Sequence, residues 1–269
     1  MSVLRFSVLG LYLLAAWLLV AMRTGDADGG HRRSAAPAVL SGLAGLVLHA
    51  ILLVRLIPTD TGPDLSIANV LSLIGLQIAA VAVIAGLMPR FRGLGATLLP
   101  VAGVAALISG VGELTAAVDG LGWEMKAHIA ISVVAYTLLS VGALIAVLVW
   151  LQDRALRRHA TTWVEVLPPL EAMEQVLFMT IHAGVVLLTL SVFSGLIFVD
   201  NVLAQHLAHK TILTVTALVV FALLLIGRWR FGWRGRRAIH WTLAGYVVLA
   251  LGYFGSRVIL ELVLGRQWG

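Results

Sequence analysis

Eight apolar runs of about 18–25 residues recur along this chain of 269 residues. They lie near 3–22, 38–57, 67–88, 95–112, 128–151, 175–199, 211–227 and 239–264. Wound as helix at roughly 1.5 Å per residue, such a run covers the roughly 30 Å hydrocarbon core of a bilayer. A lone strand would leave its backbone polar groups unpaired in lipid, and the runs are continuous rather than alternating, so helices are expected. The expected fold class is all-α, a polytopic transmembrane helical bundle of about eight spans, with little chain left over for a soluble domain.

Composition agrees with lipid as the solvent. Hydrophobic residues make up 60% of the chain, charged residues 12%, and the mean hydropathy is +1.00. A soluble domain is about a quarter charged, and one of this size has no way to hide so much apolar surface. The formal charge of +6 does not point to nucleic acid, because the arginines fall between the runs, where they orient the protein and meet anionic headgroups. There are no cysteines, which excludes disulfides, thiolate catalysis and thiolate ligation of metals.

Arginine and lysine also set the orientation. Thirteen of the 19 fall in one set of connections, around Arg23 to Arg33, Arg90 to Arg92, Arg154 to Arg158 and Arg228 to Arg237. Arg5, Lys126, Lys210 and Arg266 fall on the other side, and Arg55 and Arg257 lie within runs. The positive-inside rule puts the richer set in the cytoplasm and both termini in the periplasm. The run after Met1-Ser-Val-Leu-Arg5 is long for a signal-peptide core and has no clean small-residue cleavage site after it, so it is read as a retained first span. One integral-membrane domain over 1–269 is expected. Its longest connection, 152–174, carries Leu167-Pro-Pro-Leu-Glu171 and separates 1–151 from 175–269.

An intramembrane polar residue is costly and is a functional candidate for that reason. His128, in Trp123-Glu-Met-Lys-Ala-His128-Ile-Ala-Ile-Ser-Val-Val-Ala-Tyr136, stands at the outer mouth of the fifth run. A neutral imidazole there suits metal or haem-iron ligation, or an ordinary interfacial hydrogen bond to a loop carbonyl. His206 and His209 are three apart, so on a helix they share a face and suit one metal, or are simply solvated. His49 and His182 lie inside the second and sixth runs, where each suits haem ligation or a bond to a neighbouring helix. Arg257 stands four residues before Glu261, so it can pair with that carboxylate or reach an anionic group such as a propionate. Arg55, at the outer end of the second run, can do the same or snorkel to the headgroups. Asn69, Ser72 and Gln77 suit interhelical hydrogen bonds in the third run. No phosphate-binding glycine loop, zinc-protease helix or GxSxG elbow is present.

Several stretches together carry a resemblance. They are Leu65-Ser-Ile-Ala-Asn69-Val-Leu-Ser72, His128 with Tyr136 eight residues on, Leu167-Pro-Pro-Leu-Glu171 and Leu187-Leu-Thr-Leu-Ser-Val-Phe-Ser-Gly195. Gly232-Trp-Arg-Gly-Arg-Arg237, followed by Gly252-Tyr-Phe-Gly-Ser-Arg257, completes the set. In order and spacing the chain resembles CcsA-type cytochrome c assembly proteins, and in particular their shorter, YpjD-like branch.

The resemblance implies an inner-membrane protein that handles haem for attachment to apocytochrome c at the outer face. Larger members present haem in a tryptophan-rich outer loop flanked by two histidine ligands, and His128 matches the first of these. Here the loop 200–210 is short and lacks tryptophan, and no second outer histidine follows the last run. The resemblance therefore implies an accessory protein that binds, passes or senses haem b, rather than a full synthase enzyme. Its partners would be the lipid bilayer, haem, and apocytochrome c or other assembly proteins. Two other readings stand beside it. A non-haem scaffold or regulator would be colourless and indifferent to His128→Ala. A small-molecule or ion transporter would carry solute flux along a path near Arg55, Asn69, Gln77 and Arg257.

Overall fold

The computed structural model describes residues 1–27, 34–59, 62–64, 66–111, 122–159, 166–198 and 205–252. It is all-helical apart from a two-residue antiparallel ladder in which Pro58–Thr59 pairs with Gly62–Pro63. The helices are α1 (Ser2–Ala27), α2 (Ala36–Leu56), α3 (Ile67–Leu87), α4 (Arg92–Leu107), α5 (Trp123–Arg157), α6 (Leu170–Phe198), α7 (Gln205–Phe231) and α8 (Arg236–Ala250). α1, α2, α3, α5, α6 and α7 are long and apolar enough to cross a bilayer. α4 and the described part of α8 have 16 and 15 residues, short of the roughly 20 that a full crossing needs.

Each expected run coincides with a helix, but the ends differ. α5 extends to 35 residues, against the expected 128–151, because its polar flanks at Trp123–Ala127 and Gln152–Arg157 continue the same backbone hydrogen bonding. A hydropathy reading registers only the apolar middle of such a helix. α4 stops at Leu107 and not near 112, because Gly110 takes a left-handed conformation with φ +63° that ends the helix. α6 begins directly after Pro168-Pro169, and the Gln152 side chain donates to the Pro168 carbonyl at 2.8 Å. These shifts shorten the long connection from both sides.

The chain forms two compact units, 1–117 with 152–169, and 118–151 with 170–269. In the first, α1 packs on α2 and α4, and α3 packs on the same two helices, closing a four-helix ring. Its centre is Tyr12, Leu19, Leu52, Leu94, Leu98 and Leu99. Large apolar side chains face outward as well, Val3 at 81% and Val54 at 69% exposure, which suits lipid rather than water. The second unit packs α7 on α6 and α8 around Leu139, Ile145, Leu177, Ile181 and Phe221.

Small residues set how closely the helices approach, as expected where no hydrophobic effect drives helices together. A β-carbon on Gly95 of α4 would stand 2.6 Å from the Ala82 carbonyl oxygen of α3. That neighbour is backbone and has no rotamer by which to yield. Gly10 of α1 has nothing within 4 Å of the same position. Gly95→Ala is therefore expected to destabilise the detergent-solubilised protein by about 1–3 kcal/mol, the usual cost of overpacking. Gly10→Ala is expected to leave it unchanged or slightly firmer, and thermal unfolding of the two variants checks the contrast.

Candidate functional site

His128 sits in the second turn of α5, and Ser132 and Tyr136 follow at four-residue steps on the same face. Facing them on α6 are Ser191, Ser194 and Gly195. His128 Nδ1 lies 2.8 Å from Ser194 Oγ, and Ser132 Oγ lies 2.7 Å from Ser191 Oγ. One step further along, the Tyr136 hydroxyl meets Thr214 Oγ1 of α7 at 3.1 Å. The result is a polar seam through otherwise apolar helix surfaces.

The hydroxyl protons of the seam have several acceptors in reach. Ser194 Oγ stands 2.9 Å from the Ser191 carbonyl, and Ser132 Oγ stands 2.6 Å from the His128 carbonyl. In the arrangement where Ser194 gives its proton to the Ser191 carbonyl, the contact with the imidazole takes the proton of His128 Nδ1. Nε2 then keeps the lone pair, the form in which histidine ligates a metal while its other nitrogen is held by a neighbour. Gly195 lets the ring pack closely against α6, since a β-carbon there would lie 3.1 Å from His128 Cε1 and 3.8 Å from Nε2.

His49 presents the opposite case. It is fully buried, with Nδ1 3.3 Å from the Tyr12 hydroxyl of α1 and Nε2 2.9 Å from Ser72 Oγ of α3. The Tyr12 ring also meets it edge to face at 6.0 Å. Both ring nitrogens are engaged, so this histidine links three helices. His182 is exposed, and its Nδ1 donates to the Phe178 carbonyl of its own helix at 2.7 Å, not to a neighbouring helix. Arg55 is exposed in the last turn of α2. The side chains of His206 and His209, and Arg257 with Glu261, lie outside the described residues.

A second polar cluster ties the end of α2 to α3 and α4. Asn69, fully buried, donates to the Asp64 carboxylate at 2.9 Å and accepts the Gly110 N–H at 2.9 Å. Ser66 caps α3, its hydroxyl accepting from Asn69 N, and its own N–H donates to Asp64 at 3.0 Å. Asp64 lies in the loop before α3 and is 5% exposed, a burial with no local sequence signal. No role for the serines of the α5–α6 seam is read from the sequence either. Their signal was available as hydroxyl residues at three- and four-residue steps inside apolar runs. Among the described residues no group of three or more His, Asp or Glu side chains converges as a metal cage.

The cytochrome c assembly protein family model matches residues 37–264. The chain is 36% identical to the inner membrane protein YpjD of Escherichia coli K12 over 245 residues, covering 88% of this chain and 90% of that protein. The chain belongs to the cytochrome c assembly protein family. The YpjD proteins of two pathogenic E. coli strains, O6:H1 and O157:H7, align equally well. An uncharacterized 28.8 kDa protein of Azospirillum brasilense is 32% identical over 141 residues, about half of each chain. No solved structure matches the chain. With six helices able to cross a bilayer among the described residues, this family member is a multi-pass inner membrane protein.

The proton assignment in the seam is directly measurable. Nitrogen NMR of the histidine-labelled protein is expected to show His128 protonated on Nδ1 and bare on Nε2. Ser194→Ala removes the acceptor and should let the two tautomers mix. An unchanged His128 signal in that variant would refute the assignment.

Proposed function

We propose that this family member handles haem at the periplasmic face of the inner membrane, with His128 Nε2 as the ligand to iron. Haem is cargo in this reading, and it brings an iron whose axial positions take imidazole nitrogen. The observation that carries the reading is the 2.8 Å contact of His128 Nδ1 with Ser194 Oγ, which engages that nitrogen and leaves Nε2 for a ligand. Ser194 would orient the imidazole and raise its basicity, as outer-sphere hydrogen-bond acceptors do for metal-bound histidines. Family membership supports the same chemistry. The second axial position falls to His206 or His209 at the start of α7, and replacing both should lower haem content. Thiols for any attachment reaction would come from a cytochrome partner, since this chain has no cysteine.

Visible spectra of the detergent-purified protein, oxidised and dithionite-reduced, test the reading. The wild type is expected to show a Soret band and reduced b-type bands, which His128→Ala loses. Ser194→Ala should retain haem about 10–100-fold more weakly, the usual cost of losing an outer-sphere partner. A wild type that stays colourless after haem is offered would transfer the reading to a scaffold or regulator without haem.

The reading also needs His128 on the periplasmic side. The arginine-rich connections, Arg154 to Arg158 and Arg228 to Arg237 among them, assign the opposite ends of these helices to the cytoplasm. Alkaline phosphatase fused at about residue 122 should be active, and a fusion at about 234 inactive. The reverse pattern would put His128 on the wrong side for periplasmic delivery.

A further inference from the structure

The turn between α7 and α8 is built more rigidly than a topology signal requires. Gly232 closes α7 with φ +63°, its N–H returning to the Arg228 carbonyl at 3.2 Å, which is a left-handed C-cap. Trp233 folds back onto α7, where a β-carbon on Gly227 would stand 2.4 Å from its indole. Trp241 of α8 packs on Trp233 at 5.4 Å, and Phe231 stacks at 6.5 Å. Gly235, with φ +56°, donates its N–H to Glu174 of α6 at 2.6 Å. Arg228 lies 4.5 Å over the Phe178 ring and donates to the Trp233 carbonyl at 3.2 Å.

This frame holds cations where a helix tolerates them least. α8 begins at Arg236 with Gly235 as its N-cap, no side-chain cap and no acid in its first turn. The start of a helix carries about half a positive charge, so arginines there repel it and an anion is favoured. Arg230, Arg234, Arg236 and Arg237 are all exposed around that start. Glu174 is the acid that approaches it among the described contacts, and its bond is spent on the Gly235 N–H. Beside the cations, Trp229 and Phe231 are 85% and 71% exposed, an apolar surface at the end of a membrane-length helix.

We propose that the α7–α8 turn is a binding site for the headgroup of an anionic phospholipid. Arg234 and Arg237 take the phosphate at the uncapped start of α8, and Trp229 and Phe231 lie against the acyl chains. A guanidinium presents two parallel N–H donors to phosphate oxygens, and an indole sits well at headgroup depth. A soluble phosphate would satisfy the arginines but would leave the exposed faces of Trp229 and Phe231 uncovered. The adjoining apolar surface therefore favours a lipid.

Native mass spectrometry of the delipidated protein, offered phosphatidylglycerol or phosphatidylcholine, tests the proposal. Phosphatidylglycerol is expected to bind at least fivefold more than phosphatidylcholine. The double variant Arg234→Gln/Arg237→Gln should erase that preference, and Arg158→Gln should keep it. Phosphatidylglycerol with bromine in its acyl chains should quench the wild type more than it quenches Trp229→Phe, a comparison that keeps every arginine and does not depend on the double variant folding. A preference that survives the double substitution, or equal quenching of the two proteins, overturns the proposal. Displacement of the lipid by millimolar inorganic phosphate would also overturn it, since the site would then serve a soluble anion. None of these outcomes depends on whether the protein binds haem.

Discussion

Hydrocarbon offers no hydrogen bonds, so every polar group that enters it has to be satisfied by the protein itself. That constraint makes the chain helical, and it decides which of its intramembrane side chains are available for chemistry. His49 and His128 show the difference. His49 spends both nitrogens, on Tyr12 and Ser72, and in doing so joins α1, α2 and α3. His128 has one nitrogen in contact with a neighbouring helix, Nδ1 with Ser194 Oγ. One histidine is a fastener between three helices. The other is held through Nδ1 alone among the described contacts.

The same constraint explains the polar seam and the Asp64–Asn69 cluster. A buried carboxylate or amide left unpaired costs about 1–3 kcal/mol or more, so each arrives with a full set of partners. Asn69 is bonded on both sides of its amide, to Asp64 and to the Gly110 N–H, and so closes the end of α4 against the start of α3. Ser132, Ser191 and Ser194 join α5 to α6 beside the His128 ring through hydroxyl contacts and need no charged group to do it. Glycine and alanine do the complementary work on the apolar faces, letting α3 and α4 meet at backbone distance near Gly95.

How much of this was legible in the sequence follows from what each signal measures. Hydropathy found the eight helices of the described residues because continuous apolar runs have no soluble alternative, and it missed ends such as that of α5 because polar flanks such as Gln152–Arg157 extend a helix without registering. His128 could be singled out as a polar residue in an apolar run and by its match to the family pattern. Its ranking above His49 could not be derived from composition, since both are histidines in apolar surroundings. The distinction rests on Tyr12 and Ser72, 37 and 23 residues away from His49 in the chain. The burial of Asp64 is not legible in the sequence, because nothing local shows that Asn69 and the Ser66 N–H fold over it.

Within the second unit, α6 links the two polar features. Glu174 stands near its start, bonded to the arginine-rich turn, and Ser194 stands near its end, bonded to His128. Twenty residues of continuous helix separate them, roughly 30 Å at helical rise, which is the thickness of the hydrocarbon core. His128 and a cluster of arginines therefore stand at opposite ends of α6. The arrangement divides two demands that would conflict at one place. Guanidinium groups near Nε2 would compete for anionic parts of a ligand and draw water to the seam. At the other end they stand where the positive-inside rule favours them, while the histidine end keeps its hydroxyl-lined surroundings.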